Sequence, residues 1–217
     1  MIVGTSTLAI LYLTAPAPDL VAALPNAATT TAETSKEKAK HVPMPVEVRG
    51  VYMTTSTAAS KQLRSNIFAY AKRNRMNAVV IDVKESDGSL VLDRVEPAVR
   101  EAGEHGLYRI ARVFVFQDPS YAARFPNEAV QKHGGGVWTD YKGVTWVDAA
   151  SKAAWKYNVV IAREAYARGF DEVQFDYIRF PSDGNMTSIK YVRYDGKTPK
   201  HEVIRSFFEY VHDQLEV

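Results

Sequence analysis

From Val46 onward, short apolar runs alternate with longer stretches whose apolar positions recur at helical spacing. VRGVYMT (Val48 to Thr54) predicts a first strand, and Ala59 to Arg75 a helix with Leu63, Ile67, Phe68 and Ala71 on its apolar face. NAVVIDVK (Asn77 to Lys84) predicts a second strand, and its unbroken apolar run suits burial on both faces. Val95 to His105 predicts a helix closed by Gly106, and Tyr108 to Phe116 (YRIARVFVF) a third strand. A long connection, Asp118 to Gly136, contains a short helix. Val137 to Val147 predicts a small hairpin around Tyr141-Lys142-Gly143. Lys152 to Arg168 predicts a helix stopped by Gly169, Phe170 to Phe180 a fourth strand, and Pro199 to Leu215 a last amphipathic helix.

Four βα units in series predict a parallel sheet with helices outside it. No glycine-rich phosphate loop follows the first strand, where a nucleotide-binding doubly wound sheet would carry one; MTTSTAAS (Met53 to Ser60) is not that fingerprint. A (β/α)₈ barrel of TIM type is therefore favoured. Four units already occupy 46–217, so eight would need about twice that length. The expectation is the first four βα units of such a barrel, a half barrel or fragment.

The first 45 residues differ. Ile2 to Leu24 is mostly apolar, with one charge at Asp19 and prolines at 16 and 18. Residues 1–24 read as an export signal or membrane anchor, although no Lys or Arg precedes Lys36. Residues 25–45 are rich in Ala, Thr, Lys and Pro and read as a disordered linker. The expectation is a domain outside the cytoplasm, secreted or tethered to a membrane through its N-terminus; the alternative is a disordered leader that carries no address.

Composition narrows the chemistry. The chain has 217 residues, of which 46% are hydrophobic and 24% charged. Its 27 Lys and Arg against 25 Asp and Glu leave a net charge of +2, without the basic excess of a nucleic-acid binder. With no cysteine, disulfides, Cys-ligated metals and a Cys nucleophile are excluded. The five histidines form neither HExxH nor HxH, so no metal or cofactor is expected.

In parallel α/β barrels the reactive groups sit at the C-terminal ends of the strands. The candidates there are Tyr52 and Thr54 on the first strand and Asp82 and Lys84 on the second, with Glu85 and Asp87 just beyond. The third contributes Arg112, followed by Gln117 and Asp118, and the fourth contributes Asp176, Tyr177 and Arg179. Alternation puts Gln174, Asp176 and Ile178 on the inner face, with Val173, Phe175 and Tyr177 opposite. On the second strand it puts Val80, Asp82 and Lys84 together. Asp176 and Asp82 are the candidate catalytic carboxylates; the alternative is that each only forms an ion pair with Arg112, Arg179 or Lys84. Two carboxylates across a pocket are the minimum for glycoside hydrolysis. Lys84, Arg112 and Arg179 would position substrate, and Tyr52, Trp138, Trp146 and Tyr177 could stack on sugar rings; packing is the competing use of each tryptophan. Trp155, inside a helix, is assigned to packing.

The run GFDEVQFDYIRFPSDG (Gly169 to Gly184) is similar to the signature of a bacterial family, the "putative glycosyl hydrolase domain", once catalogued as a domain of unknown function. VRGVYMT, NAVVIDVKESDG, IARVFVFQDP and GVWTDYKGVTWVDAASKAAWKYNVVIAREA resemble it in the same order, covering about Val46 to Gly184. The resemblance implies a (β/α)₈ barrel distantly related to alpha-amylase-type glycosidases, an exported or tethered location, and a nucleophilic aspartate at the end of the fourth strand, the position of Asp176. The sequence departs from the pattern in a shorter Gly88 to Gly106 stretch and in lacking strands after the fourth. In related barrels a later strand commonly supplies the general acid, which this chain would then lack. The function expected is hydrolysis of a poly- or oligosaccharide. The alternatives are a non-catalytic carbohydrate- or cell-wall-binding module and an inactive truncated barrel prone to self-association through its open sheet edges.

Overall fold

The computed structural model describes residues 39–215. The apolar leader and most of the linker expected from the sequence lie outside the described residues. Residues 39–49 carry no helix or strand, yet they are tied to the body of the domain. The Val42 amide donates to Asp171 at 2.7 Å, and Arg109 donates to the Lys40 carbonyl at 2.6 Å.

Four strands form one parallel sheet: β1 (Gly50–Met53), β2 (Ala78–Lys84), β3 (Tyr108–Phe114) and β5 (Glu172–Asp176), in the order β1-β2-β3-β5. Between them run α1 (Thr55–Ala59), α2 (Lys61–Arg73), α3 (Leu92–Glu104), α4 (Pro119–Arg124) and α5 (Lys152–Ala167), and α6 (Lys200–Leu215) follows β5. The short strands β4 (Gln131–Lys132) and β6 (Ile189–Lys190) pair antiparallel outside the main sheet. This is an arc of a (β/α) barrel with its first four βα units, as the periodicity predicts. β1 and β5 are the edges of the sheet among the described residues.

Local chemistry starts the helices where the sequence allows it. The side chains of Thr54, Ser60, Asp118 and Ser151 accept from backbone amides three residues on, at 3.2, 3.4, 2.8 and 3.1 Å. Each satisfies a donor that has no partner within the helix. Phe68 of α2, Val95 and Val99 of α3, and Ile161 and Ala165 of α5 then pack against Met53, Val79, Ile81, Val83, Ala111 and Val113. The strand side of that core is one face of the sheet; the opposite face carries Tyr52, Val80, Asp82, Ile110, Arg112, Gln174 and Asp176. Arg64 of α2 clamps Glu101 of α3 with bonds of 2.6 and 2.9 Å. A second core gathers Trp138, Trp146 and Trp155 with Phe116, Phe180 and Phe207.

Candidate functional site

The C-terminal ends of β1, β2, β3 and β5 bring four side chains together on the inner face. Arg112, on β3, is the centre. Its Nε and Nη2 donate to Asp176 Oδ2 at 2.9 and 2.6 Å, and its Nη1 donates to Asp82 Oδ1 at 3.2 Å. The Tyr52 hydroxyl of β1 donates to Asp82 Oδ2 in a short hydrogen bond. Asp176 Oδ1 accepts the amide of Tyr177 at 2.7 Å. One guanidinium thus holds carboxylates from the two strands that flank its own. Arginine suits this role because its fork is rigid and its charge fixed. The side chain of Asp82 is 10% exposed and that of Asp176 38%, so Asp176 is the carboxylate with room for a ligand. Burial, the hydrogen bond to Asp82 and the charges of Asp82 and Glu85 push the Tyr52 hydroxyl up to about 12, with Arg112 acting in the opposite sense.

Aromatic rings frame the carboxylates. Arg112 lies 4.4 Å over the Phe114 ring, and Phe114 stacks on Tyr177 at 4.6 Å. Tyr177 has φ = +55°, a left-handed conformation that costs a non-glycine residue about 1–2 kcal/mol. That turn breaks the alternation the sequence predicts. Continued as a strand, Tyr177 would face the helices with Phe175; instead its ring stacks on Phe114, which shares the inner face with Asp176. Arg179 sits 4.6 Å over Trp146 and donates to Ser182 at 2.6 Å.

Three sequence expectations need correcting. Lys84 does not share the face of Asp82. The β2–β3 register shifts between them, pairing Asp82 with Arg112 and Lys84 with Val113. The bulge turns Lys84 into the helix layer, where it is fully buried, 2.6 Å from Asp118 Oδ2 and 3.1 Å from Asn158 of α5. There burial pulls its pKa below the ordinary lysine value, against the opposing influence of Asp118. Trp138 is also fully buried, and its indole N–H donates to the Asn185 carbonyl at 2.9 Å. Trp146 is likewise sealed, donating to Asp140 at 3.2 Å. Neither indole offers a free face to a sugar. The exposed aromatics at this end are Tyr52 and Tyr141; Tyr141 tops the 137–147 hairpin, which Asp140 braces by accepting the amides of Lys142 and Val144, both at 2.9 Å.

A groove of about 580 Å³ lies at the opposite end of the sheet, lined by Lys40, His41, Arg100, Arg109 and Arg168 among others. Two of its main cations are already engaged, Arg109 with Asp171 at 2.8 Å and Arg168 with Glu164 at 2.6 Å. It holds none of the strand-end groups. Among the described residues no cluster of His, Asp and Glu is arranged to hold a metal ion.

The strand-end carboxylate cluster thus sits at the mouth of an arc of a (β/α) barrel. The chain belongs to the family described as "Putative glycosyl hydrolase domain", whose model matches residues 50–103 and 91–217. It is similar to a hypothetical protein from Ruminiclostridium thermocellum, with 32% identity and a TM-score of 0.69 over 76% of this chain and 92% of that one. It also resembles in fold the GH36 alpha-galactosidase AgaA of Geobacillus stearothermophilus, solved with stachyose, at 12% identity and a TM-score of 0.54. The match covers 77% of this chain and 26% of AgaA. An alpha-L-fucosidase isoenzyme of Paenibacillus thiaminolyticus matches with 14% identity and a TM-score of 0.50, over 76% of this chain and 29% of the fucosidase. The chain therefore spans about a quarter of the length of these glycosidases. No protein of curated function matches the sequence.

Proposed function

We infer that this chain carries the catalytic face of a glycoside hydrolase acting on a poly- or oligosaccharide. Asp176 is the nucleophile toward the anomeric carbon. Arg112 orients it, and Asp82, held by Tyr52 and Arg112, fixes the arginine from the other side. The observation that carries the reading is the double clamp: one arginine holds both carboxylates at the mouth and leaves Asp176 the more open. The family and the fold of the solved glycosidases support the same chemistry. An extracytoplasmic location belongs to this reading, supported by the apolar run Ile2 to Leu24. Among the described residues no helix is long and apolar enough to cross a membrane.

Asp176→Asn tests it. The substitution preserves shape and the acceptor toward Arg112, and should lower turnover of a cleaved glycan on the order of 10³-fold or more while binding changes little. A wild-type chain that binds glycans without cleaving them would instead identify a carbohydrate-binding module.

A further inference from the structure

Hydrolysis needs a proton donor for the leaving oxygen, and the two clamped carboxylates are poor candidates. Asp82 and Asp176 each use both oxygens as acceptors. The bulge in β2 supplies another group. Val83 packs in the helix-side core and Lys84 is buried behind the sheet. Alternation continued past the bulge directs the next residue, Glu85, to the inner face. Without the extra residue, alternation would have sent it outward.

The register fixes its height. Lys84 pairs with Val113, and Val113 with Phe175. Extended one residue beyond the ladder, the register sets Glu85 at the level of Phe114 and Asp176, which are paired with each other. Asp82, Arg112 and Gln174 form the layer beneath. β2 and β5 flank β3, so their backbones lie about 10 Å apart. Carboxyl groups that converge from strands so spaced can come within the roughly 5–5.5 Å that a nucleophile and its acid/base partner need.

Glu85 is half-buried, and its carboxylate makes no hydrogen bond or ion pair among the described residues. Its charge is one of those that raise the Tyr52 hydroxyl, so it lies within electrostatic reach of that group. Its backbone is held in a tight turn: Glu85 N–H donates to the Ser89 carbonyl at 3.0 Å, and the Glu85 carbonyl accepts from Gly88 at 2.9 Å. Gly88 makes that turn at φ = +82°.

We propose that Glu85 is the general acid and base of this site, working opposite Asp176. This rests on the hydrolase reading above. In the first step the glycosidic C–O bond breaks, its electron pair goes to the leaving oxygen, and that oxygen takes the Glu85 proton while Asp176 bonds to the anomeric carbon. In the second step Glu85 takes a proton from water, the water oxygen bonds to the anomeric carbon, and the ester electron pair returns to Asp176.

The test uses the full chain and a panel of phenyl and dinitrophenyl glycosides of galactose, glucose, fucose and N-acetylglucosamine in both anomeric forms. Dinitrophenolate departs without protonation, whereas phenolate needs it. Glu85→Gln should lower kcat/KM on the cleaved phenyl glycoside about 10²–10⁴-fold and spare the matching dinitrophenyl glycoside. Asp176→Asn should abolish both, and a shared melting temperature excludes misfolding. If wild type cleaves a substrate and Glu85→Gln equals it, or loses the same factor on both leaving groups, the Glu85 assignment fails alone. If wild type cleaves nothing in the panel, the hydrolase reading fails and takes Glu85 with it.

Discussion

Replacing Lys84 with Met removes a charge from the most enclosed polar pair in the domain. Lys84 is 0% exposed and Asp118 1%, and they meet at 2.6 Å. Methionine has a similar length, so little cavity forms. The effect comes from Asp118, which keeps one donor, the Tyr121 amide at 2.8 Å, and loses its counter-charge. Breaking a buried ion pair by removing one partner costs about 3–5 kcal/mol. The surviving amide bond argues for the lower end, about 3 kcal/mol, or roughly a 10 °C fall in Tm for a domain of this size. Adding Asp118→Asn keeps the helix cap and removes the stranded charge. The double variant should return to within about 1 kcal/mol of wild type.

Urea unfolding followed by tryptophan fluorescence measures this, because Trp138, Trp146 and Trp155 are all sealed in the fold. A single variant within 1 kcal/mol of wild type, or a double variant as unstable as the sum of its parts, would refute the reasoning.

Gly88→Ala should destabilise by about 2–4 kcal/mol, because its Cβ would lie 1.9 Å from Asp118 Oδ1 at φ = +82°; chemical denaturation should show sub-additivity with Lys84→Met, since both act on Asp118. Arg75 occupies the left-handed position that ends α2, with Met76 N–H bonded to the Ala71 carbonyl at 2.9 Å and φ = +53°, so Arg75→Gly should stabilise by about 0.5–1 kcal/mol in the same assay. Tyr52 holds its proton up to about 12 against a normal 10.0. The folded state binds that proton more tightly, so this contribution to stability is complete below about pH 10 and is lost as pH rises toward 12. Asp82→Asn should move the titration downward, though not fully to 10.0 because burial remains, as read by NMR of ring-labelled tyrosine.

The order of elements was legible because each strand announces itself locally. AVVIDVK and YRIARVF are too apolar and β-branched for an exposed element, and Gly106 and Gly169 stop the helices before β3 and β5. Strand-end logic likewise put Asp82, Arg112 and Asp176 on one face, where they meet, since alternation holds wherever the ladder is regular. It failed where the ladder is not. Nothing in IDVKES distinguishes a regular strand from a bulged one, because the bulge is set by how β2 registers against β3 and by Asp118 waiting in the helix layer. Lys84 was misplaced for that reason, and Glu85 was read only as a residue just beyond the strand. The left-handed backbone of Tyr177 was equally silent, since tyrosine carries no local preference for it. Trp138 and Trp146 read as mouth aromatics because the hairpin is at the mouth; their burial depends on Asn185 and Asp140 accepting their N–H groups.

The two irregularities have a common consequence. A regular β2 would send a lysine into the site beside Asp82, next to the cation already provided by Arg112. A regular β5 would turn the Tyr177 ring away from Phe114. The bulge keeps that lysine off the inner face, and the positive φ brings an aromatic wall beside Asp176. Both departures lie at the C-terminal ends of strands and both change what faces a ligand. Backbone strain of about 1–2 kcal/mol at Tyr177 persists only where the surroundings enforce it. Here Phe114 stacking, the Tyr177 amide on Asp176 and the Arg112 clamp supply that enforcement, so the strain falls beside the carboxylate proposed as the nucleophile.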